Sequence, residues 1–469
     1  MRHSPTSRAC RRLRSVHDRS LIARAIADAF VAGEWEPLAM SSRAVCALSA
    51  SAPGSWLVRL ATRIRARLSE PPVRIAVLTA AIQRDLGFQR SLTKLTLRVV
   101  APSTTPARMR LPIRASLAVG QPSLDTLFDL ASWLCLTPGE LDWFAGVHGG
   151  ERRAGPSALR HYRFHTALKP SGRARLLEAP RPRLRELQRQ ILREILDRVP
   201  VSPHAHGFAR GRSALTCAQA HANQAIVLRL DLADFFNSIP GGRVFAIFSA
   251  LGYPEAVARA LTGLSTLTTP PDILDGLPRS GDPGALAERR RQVVMLRQRH
   301  LPQGAPTSPA LANLVAFRLD RRLGGLAAAV DANYTRYADD LFFSGDDRLA
   351  RTADRFLRSA ATIVREEGFT LRPSKTLIMR ASAQQRVTGL VVNRNPNVAR
   401  RTFDELKAVL HNAIRTGATA QNRAGHPDFQ AHLRGRIAWI EQVAPARGAR
   451  LLALYQKIDW SSAEPELCG

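Results

Sequence analysis

The chain has 469 residues, 45% of them hydrophobic, so it is long enough for two or three domains, and its composition excludes wholesale disorder. Its 68 lysines and arginines outnumber its 38 acidic residues, which gives a formal net charge of +30. This excess indicates a polyanionic partner: nucleic acid is the leading candidate and an anionic membrane surface is the alternative.

Two further features of the composition narrow the class of protein. The five cysteines lie far apart without metal-ligand spacing, which disfavours a zinc site and a disulfide framework and indicates a reducing compartment, the cytoplasm. No apolar stretch reaches the roughly 18 residues that a membrane-spanning helix needs.

The first 150 residues predict a basic, helical N-terminal extension. Apolar residues recur on one helical face between Ser20 and Gly33, and residues 123–147 predict two short amphipathic helices. A proline-rich segment near residues 101–112 indicates a linker. These residues contain no motif of known chemistry, so a helical RNA-binding role and a partner-docking role both stay open.

From about residue 156 the pattern alternates between strands and helices. Residues 182–199 and 348–367 predict helices, and Ala225–Leu232 predicts a short apolar strand. Asn333–Tyr337 and Leu341–Ser344 predict two strands that flank a tight turn containing Asp339 and Asp340. Beyond Pro396 the chain returns to helices, predicted at 401–416, 428–443 and 446–458. We therefore predict three domains, with the bounds 1–150, 151–395 and 396–469.

Carboxylates at two strand ends indicate phosphoryl-transfer chemistry. Joining a nucleotide to a primer builds negative charge on the attacking and leaving oxygens, and two divalent ions held by two or three carboxylates stabilise that charge. Asp231 ends an apolar strand, and Asp339 and Asp340 lie in the predicted turn. The predicted metal ligands are Asp231, Asp339 and Asp340. Because adjacent residues of an extended chain point in opposite directions, we expect Asp339 to be the main ligand of the adjacent pair and Asp340 to support the charge or a second ion. The predicted cofactor is a pair of Mg²⁺ ions.

The order of these segments resembles that of the reverse transcriptase family, in particular its bacterial retron-type members. Asp231 with the phenylalanines at 235 and 236 is similar to the first catalytic motif of the family, and YADD at 337–340 to the third. LPQGAPTSPALANL (301–314) is similar to the second motif, GFTLRPSKT (368–376) to the fourth, and RVTGLVVN (386–393) to the primer-gripping hairpin. Residues 161–192 and 204–213 are similar to the fingers region.

The resemblance implies an α+β right-hand polymerase, with fingers, an antiparallel palm sheet backed by helices, and a helical thumb. It implies that Phe236 lies under the sugar and excludes ribonucleotides, and that Gln303 and Gly304 approach the nucleotide. Lys169 and Arg175 would contact the triphosphate. Lys375 would donate a proton to the leaving pyrophosphate. The implied partners are a structured non-coding RNA, the nascent DNA and dNTPs.

The similarity to retron enzymes rests on two elements. Members of that group carry an Asn-Ala-x-x-His element before the first aspartate and a Val-Thr-Gly near the end of the palm. Val-Thr-Gly is intact at residues 387–389, whereas the other element is CAQAH at 217–221, in which Cys217 replaces the asparagine and His221 is kept. The resemblance further implies a branched RNA–DNA product, an effector protein and a role in phage defence.

Two alternatives are consistent with the same residues. The first is another bacterial reverse transcriptase, of the diversity-generating, CRISPR-associated or abortive-infection type. The second is a non-catalytic RNA-binding protein on the same scaffold, which the presence of all three aspartates, Gln303 and Lys375 disfavours.

Overall fold

The computed structural model describes most of the chain, and the predicted nucleotide contact Lys169 falls outside the described residues. The described residues are 6–32, 34–48, 54–69, 71–72, 75–95, 97, 99, 109, 120–146, 160–168, 174–278 and 283–460. None of the helices in these ranges is long and apolar enough to cross a membrane.

The chain divides into two compact units, the first of which consists of residues 1–115, 123–138 and 249–258. Five helices in this unit surround an apolar core, and the fully buried Ile26, Leu60 and Leu78 belong to that core. The helices are α1 (Thr6–Val31), α2 (Pro37–Ala47), α3 (Ser55–Arg67), α4 (Ile75–Gln83) and α5 (Leu86–Lys94). The predicted helix at 20–33 is the second half of α1. Helix α6 (Leu127–Trp133) and helix α7 (Pro138–Ala145) are the two short helices predicted within residues 123–147.

The second unit begins with a hairpin and a helix in the segment predicted as fingers. Strands β1 (Tyr162–Leu168) and β2 (Ala174–Pro180) pair antiparallel, and helix α8 (Pro182–Glu194) follows directly. Proline at the first position suits the start of a helix because that residue has no intrahelical donor role. The helix buries Leu184, Leu187 and Ile191 and is followed by a 3₁₀ turn at Leu196–Arg198, so the helix predicted over 182–199 is shorter than expected.

A four-stranded antiparallel sheet lies at the centre of the second unit. Its strands are β3 (Ile226–Asp231), β4 (Asn333–Tyr337), β5 (Asp340–Gly345) and β6 (Leu377–Arg380), in the order β4-β5-β3-β6. Strand β3 is almost entirely buried, as its apolar run predicts. The structure adds β6, which the sequence alone did not indicate. It also places Asp340 at the start of β5 and not in the turn.

Helices pack around this sheet. The longest is α16 (Asp347–Glu366), and the Phe356 ring on its buried face packs edge-on against Phe343 of β5 with 5.0 Å between centroids. Gly368 ends this helix region with φ +78°, a conformation that glycine adopts without strain. The remaining helices are α9 (Ala214–Gln219), α10 (Gly241–Ala250), α11 (Glu255–Ser265), α12 (Pro271–Asp275), α13 (Pro283–Arg297), α14 (Ser308–Val315) and α15 (Phe317–Ala328).

The C-terminal segment packs against the sheet through a small hairpin and three helices. Strands β7 (Arg386–Val387) and β8 (Leu390–Val391) are joined by Thr388 and Gly389, both at positive φ. The Val-Thr-Gly element therefore comprises the end of β7 and the turn of a hairpin. Helices α17 (Arg400–Thr416), α18 (Phe429–Val443) and α19 (Pro445–Tyr455) follow, and their apolar faces share a core with Val227 and Phe342 of the sheet.

Candidate active site

Asp231 and Asp340 lie directly opposite each other at the same edge of the central sheet. Asp231 ends β3, Asp340 begins β5, and the two are register partners in the antiparallel ladder. The backbone N–H of Leu232 also donates a 2.8 Å hydrogen bond to the carbonyl oxygen of Asp339. The two aspartate segments, more than a hundred positions apart in sequence, thus meet in one place.

The β4–β5 connection is a two-residue turn made of Ala338 and Asp339, closed by the Tyr337–Asp340 pair. Ala338 adopts φ +55°, the left-handed region that such two-residue hairpin turns require and that alanine adopts only at a cost. Asp339 is half-buried at the tip of this turn. Its carboxylate therefore lies at the same sheet edge as the Asp231–Asp340 pair.

Two cations hold the Asp231 carboxylate, which is only 1% exposed. The Lys375 ammonium donates to Oδ2 at 2.5 Å, and the Arg372 guanidinium donates to Oδ1 at 3.1 Å. The backbone N–H of Arg372 also donates to the Asp231 carbonyl oxygen at 2.8 Å. The segment predicted as the fourth motif is therefore bound to the first through side-chain and backbone contacts.

A third cation, Arg229, holds Asp340. Its Nε and Nη2 donate to Oδ1 at 3.0 and 2.9 Å, and Nη2 also donates to Oδ2 at 3.0 Å. Burial raises the pKa of the Asp340 carboxyl; the Arg229 charge opposes this rise, and the charges of Asp339 and Asp231 add to it. Arg229 therefore offsets the repulsion among three neighbouring carboxylates.

A buried network supports the turn from behind. Arg336 of β4 is 0% exposed and makes two 2.7 Å hydrogen bonds to the two carboxylate oxygens of Asp320. Its Nη1 donates to Asn313 Oδ1 at 2.9 Å and to the carbonyl oxygen of Ala338 at 3.2 Å. The Tyr334 hydroxyl also donates to Asp320 at 2.9 Å. These bonds satisfy both buried charges and connect helices α14 and α15 to the turn that carries Asp339.

The segment His204–Phe208 covers the other side of the turn. The backbone N–H of His206 donates to the Arg336 carbonyl oxygen, and that of Arg336 donates to the His204 carbonyl oxygen, both at 2.7 Å. At Gly207 an added Cβ would lie 2.5 Å from the Ala338 nitrogen, closer than side chains approach a backbone. Glycine is needed here because this backbone rests directly on the turn that carries Asp339.

The two retron-type elements meet behind the sheet. His221 is fully buried, with Nδ1 2.7 Å from the Ser344 hydroxyl and Nε2 2.7 Å from the Thr335 hydroxyl. Cys217 contacts the same Thr335 hydroxyl, with 3.1 Å from Sγ to Oγ1. Burial lowers the pKa of His221 to about 3 and raises the pKa of the Cys217 thiol to about 12, so both are neutral at pH 7.

Hydrogen bonds also join these elements to each other. The Thr388 hydroxyl donates to the Ala214 carbonyl oxygen at 2.9 Å, and the backbone N–H of Asn223 donates to the Val392 carbonyl oxygen at 2.9 Å. Cys217 keeps a polar contact to β4 from the position at which other retron-type enzymes carry asparagine. The substitution is thus compatible with the packing of this element.

The residues predicted to surround the nucleotide lie near the same sheet edge. Phe236 is half-buried and contacts Phe235 and the exposed Phe208, with ring centroids 5.5 and 6.1 Å apart. Gln303 accepts a 2.8 Å backbone hydrogen bond from Glu178 of β2. Gly304 has φ +135°, and a Cβ there would lie 3.1 Å from the Glu178 carbonyl oxygen. The Arg175 side chain on β2 is exposed.

Helix α14, which follows Gln303 and Gly304, begins at Ser308 without a side-chain cap. Thr307 makes no capping hydrogen bond, and its buried hydroxyl has no hydrogen-bond partner among the described residues. The Ser308 hydroxyl instead donates to the Pro302 carbonyl oxygen at 2.7 Å, so it fixes the loop and not the helix end.

A buried carboxylate that the sequence did not single out links this loop to β2. Glu178 is 0% exposed, accepts a 2.6 Å hydrogen bond from the Thr269 hydroxyl and lies 3.1 Å from Nε2 of His300. Nδ1 of His300 faces the Gln298 carbonyl oxygen at 2.7 Å and must therefore carry a hydrogen. The buried Glu178 carboxylate is thus hydrogen-bonded to both Thr269 and His300, which satisfies its oxygens in the interior.

The donor chemistry of the site fits a divalent hard cation. In the part of the chain that the structure describes, no set of three or more His, Cys, Asp or Glu side chains is arranged to hold a metal ion. Magnesium is commonly bound through only one or two carboxylates plus substrate phosphates. Asp231 and Asp339, hard oxygen donors at one sheet edge, meet that requirement.

Comparison with known proteins agrees with this geometry. A family model described as reverse transcriptase (RNA-dependent DNA polymerase) matches residues 167–392. Together with the relatives described next, this match defines the class: the chain is a reverse transcriptase with the predicted α+β fold, in a family that generally uses divalent metal ions.

Relatives identify the group more closely. The Retron Mx65 reverse transcriptase of Myxococcus xanthus is 40% identical over 351 residues, which is 73% of this chain and 74% of that protein. The Retron Mx162 enzyme of the same organism is 34% identical over 74% of this chain and 70% of that protein. The Retron Ec86 enzyme of Escherichia coli is 31% identical over 64% and 81%. The chain belongs to the retron reverse transcriptases and is an RNA-directed DNA polymerase.

Solved structures are more distant. A foamy viral protease–reverse transcriptase in complex with double-stranded DNA has 14% identity and a TM-score of 0.30, covering 64% of this chain and 44% of that one. A telomerase from Candida albicans has 10% identity and a TM-score of 0.32, covering 64% and 56%.

Sequence reasoning missed the three arginines that organise the aspartates, at positions 229, 336 and 372. Arg229 and Arg336 each interrupt an apolar or aromatic strand, and a charged residue inside a buried strand is the signal that would have found them. Arg372 had no such signal, because its role depends on a backbone contact between distant segments.

Proposed function

We propose that this enzyme copies part of a structured non-coding RNA into DNA with two Mg²⁺ ions held by Asp231 and Asp339, while Asp340 supports the charge. The observation that supports this most directly is the register pairing of Asp231 with Asp340, which brings three carboxylates to one sheet edge. The bound ions would neutralise charge on the attacking and leaving oxygens.

The residues of the chain have separate roles in this proposal. Asp231 and Asp339 orient the reacting groups, and Arg229 opposes the rise in the pKa of Asp340 that burial causes. Lys375, 43% exposed and 2.5 Å from Asp231, would donate a proton to the leaving pyrophosphate. Arg372 holds Asp231 in place during that transfer.

The nucleotide would bind between β2 and the sheet edge. Gln303 and Gly304 lie against the Glu178 backbone, where the absent Cβ of glycine leaves room for a close approach. Phe236 would lie under the sugar and reject a 2′-hydroxyl by steric exclusion. Arg175, exposed on β2, and Lys169 would contact the triphosphate.

The biological role follows from the family and stays a proposal. Membership among retron reverse transcriptases supports a branched RNA–DNA product primed from an internal guanosine 2′-hydroxyl. We further propose a role in phage defence with an effector protein, and a cytoplasmic location consistent with the scattered cysteines.

The test is DNA synthesis by the purified protein with Mg²⁺, dNTPs and the RNA transcribed beside its gene. The double variant Asp339→Ala/Asp340→Ala should lose synthesis and retain RNA binding. Asp354→Ala, which removes an exposed carboxylate from α16, is the matched control and should synthesise DNA normally. Synthesis by the double variant would contradict the assignment of the metal ligands.

The sugar-selection role needs its own experiment. Phe236→Ala should incorporate ribonucleotides that the wild type rejects, measured as the ratio of kcat/KM for dNTP and rNTP. Phe245→Ala, a half-buried phenylalanine on helix α10, should leave this ratio unchanged. An unchanged ratio in Phe236→Ala would mean that the ring only packs in the core and does not select the sugar.

A further inference from the structure

Within the part of the first unit that the structure describes, several cations make no side-chain hydrogen bond or ion pair. On α3, Arg59, Arg63 and Arg67 follow one another at intervals of four residues and so lie on one stripe of the helix. The outer two are exposed. Neither makes a side-chain hydrogen bond or an ion pair within the described part of the unit.

Arg63, the middle arginine, binds the residue that caps helix α5 and so holds α5 beside this stripe. Arg63 forms a bidentate pair with Asp85, with 2.8 and 2.7 Å between guanidinium nitrogens and carboxylate oxygens. Asp85 caps α5 by accepting a 2.9 Å hydrogen bond from the Phe88 N–H. The α3 stripe therefore runs past the N-terminus of α5, where the helix dipole adds positive potential.

Helix α5 adds its own cations. Phe88 is buried at 1% exposure, whereas Arg90 and Lys94, one turn apart, are exposed on the outer side together with Arg84 in the preceding turn. Among the described residues between 55 and 94, Asp85 is the only acidic side chain, and Arg63 already neutralises it. Arg59, Arg67, Arg84, Arg90 and Lys94 together form what we call the basic face.

Other arginines of the same unit have a structural role, because their side chains donate hydrogen bonds to backbone carbonyl oxygens. Arg65 donates to the carbonyl oxygens of Trp35 and Ser69, at 2.9 and 2.8 Å. Arg43 donates to those of Ala29 and Phe30, at 2.8 and 3.0 Å. Unlike these two, the basic face contributes no such bond within the described unit, so its charge stays available to an external anion.

We propose that the basic face binds the phosphate backbone of double-stranded nucleic acid, as a second binding surface that does not depend on the catalytic site. Arginines repeated along a helix suit phosphate contacts because each guanidinium presents several donors. An anionic membrane is less suited, because Leu86 is the only exposed large apolar side chain among the described residues of α3 and α5, and membrane-surface helices carry an apolar stripe.

The test compares charge variants of the full-length protein. Arg59→Gln/Arg67→Gln/Arg90→Gln removes three charges at exposed helical positions that glutamine tolerates. The matched control is Arg351→Gln/Arg355→Gln/Arg358→Gln, which removes three exposed charges from α16. A third variant replaces the same three face residues with lysine and keeps the charge. Binding to a 24-base-pair RNA duplex and to the matching DNA duplex is measured by fluorescence anisotropy over a range of KCl concentrations, without dNTPs or Mg²⁺.

The expected result is weaker binding by the glutamine variant, with a slope of log K against log salt that is shallower by about 3, or about 1 per cation. The control and the lysine variant should keep the wild-type slope. Weakening with only one duplex supports the proposal and identifies RNA or DNA as the ligand. Wild-type binding by the glutamine variant, an equal loss in the control, or an equal loss in the lysine variant would overturn it. Binding of the same face to phosphatidylserine vesicles in place of either duplex would also overturn it.

Discussion

Arg229 and Asp340 form a bidentate ion pair across neighbouring strands of the palm, diagonal to the Asp231–Asp340 register pair. The pair places a fixed positive charge beside three carboxylates that would otherwise repel one another. It distinguishes Asp340 from Asp231, whose charge is balanced by Lys375 and Arg372. Each of the two strand-end carboxylates thus has its own cationic partner.

Removing Arg229 should impair catalysis through Asp340. A charge-assisted hydrogen bond contributes about 1.5–3 kcal/mol, so we expect Arg229→Met to lower kcat/KM roughly tenfold or more and Arg229→Lys to lower it less. The measurement is steady-state primer extension as a function of Mg²⁺ concentration. In a double-mutant cycle with Asp340→Asn, additive effects of the two substitutions would contradict the coupling.

Breaking the Arg336–Asp320 pair should destabilise the whole palm. Both side chains are 0% exposed, so Arg336→Met leaves Asp320 buried and unpaired, at a cost of about 3–5 kcal/mol. Urea unfolding measures the loss of free energy of unfolding. Arg321→Met removes an exposed arginine from α15, the helix that carries Asp320, and should change stability little. If the Arg336 and Arg321 variants unfolded at the same urea concentration, the network would not stabilise the fold.

Replacing Gly207 with alanine should displace the turn that carries Asp339. The new methyl group would lie 2.5 Å from the Ala338 nitrogen, so either the turn or the 204–208 segment must move. We expect a loss of primer-extension kcat of about 100-fold, because small misplacements of catalytic groups are costly. Gly242→Ala, which meets nothing within 4 Å, is the control and should retain activity. Full activity of Gly207→Ala would show that the turn tolerates the shift.

Because His221 is buried, we expect the stability of the palm to fall at acidic pH. Its pKa of about 3 in the fold lies below the ordinary value of 6.5, so between these values the unfolded chain binds more protons and stability falls as the pH falls. His221→Asn removes this proton uptake. The pH dependence of the free energy of unfolding should then become shallower by up to about 1.4 kcal/mol per pH unit between pH 6 and pH 4. Parallel curves for the two proteins would show that His221 does not titrate on unfolding.

The sequence predicted the parts of the fold that depend on local pattern. The strand predicted at 225–232 and the helix predicted at 348–367 correspond to β3 (Ile226–Asp231) and α16 (Asp347–Glu366) within one residue at each end. Asp231 and Asp339 could be named because the resemblance places them in ordered motifs. The three-domain division stays a prediction, and so do the roles of the site residues.

The remaining features depend on contacts between distant segments. Strand β6, only four residues long and mostly exposed, has no strong pattern of its own and exists because it pairs with β3. The partner of Arg229 follows from the β3–β5 register, and Gly207 is required only because the turn rests on it. With the same sequence, a one-residue change in the β3–β5 register would give Arg229 a different partner.

The hydrogen bonds from Thr388 to Ala214 and from Asn223 to Val392 have a consequence for engineering. They bind residues 214–223 to residues 387–392, although some 170 positions separate the two segments in sequence. A chimera that grafts the C-terminal half of another retron enzyme onto this one would pair two segments whose contacts do not match. Exchanging both stretches together should give hybrids that assemble where a single crossover does not.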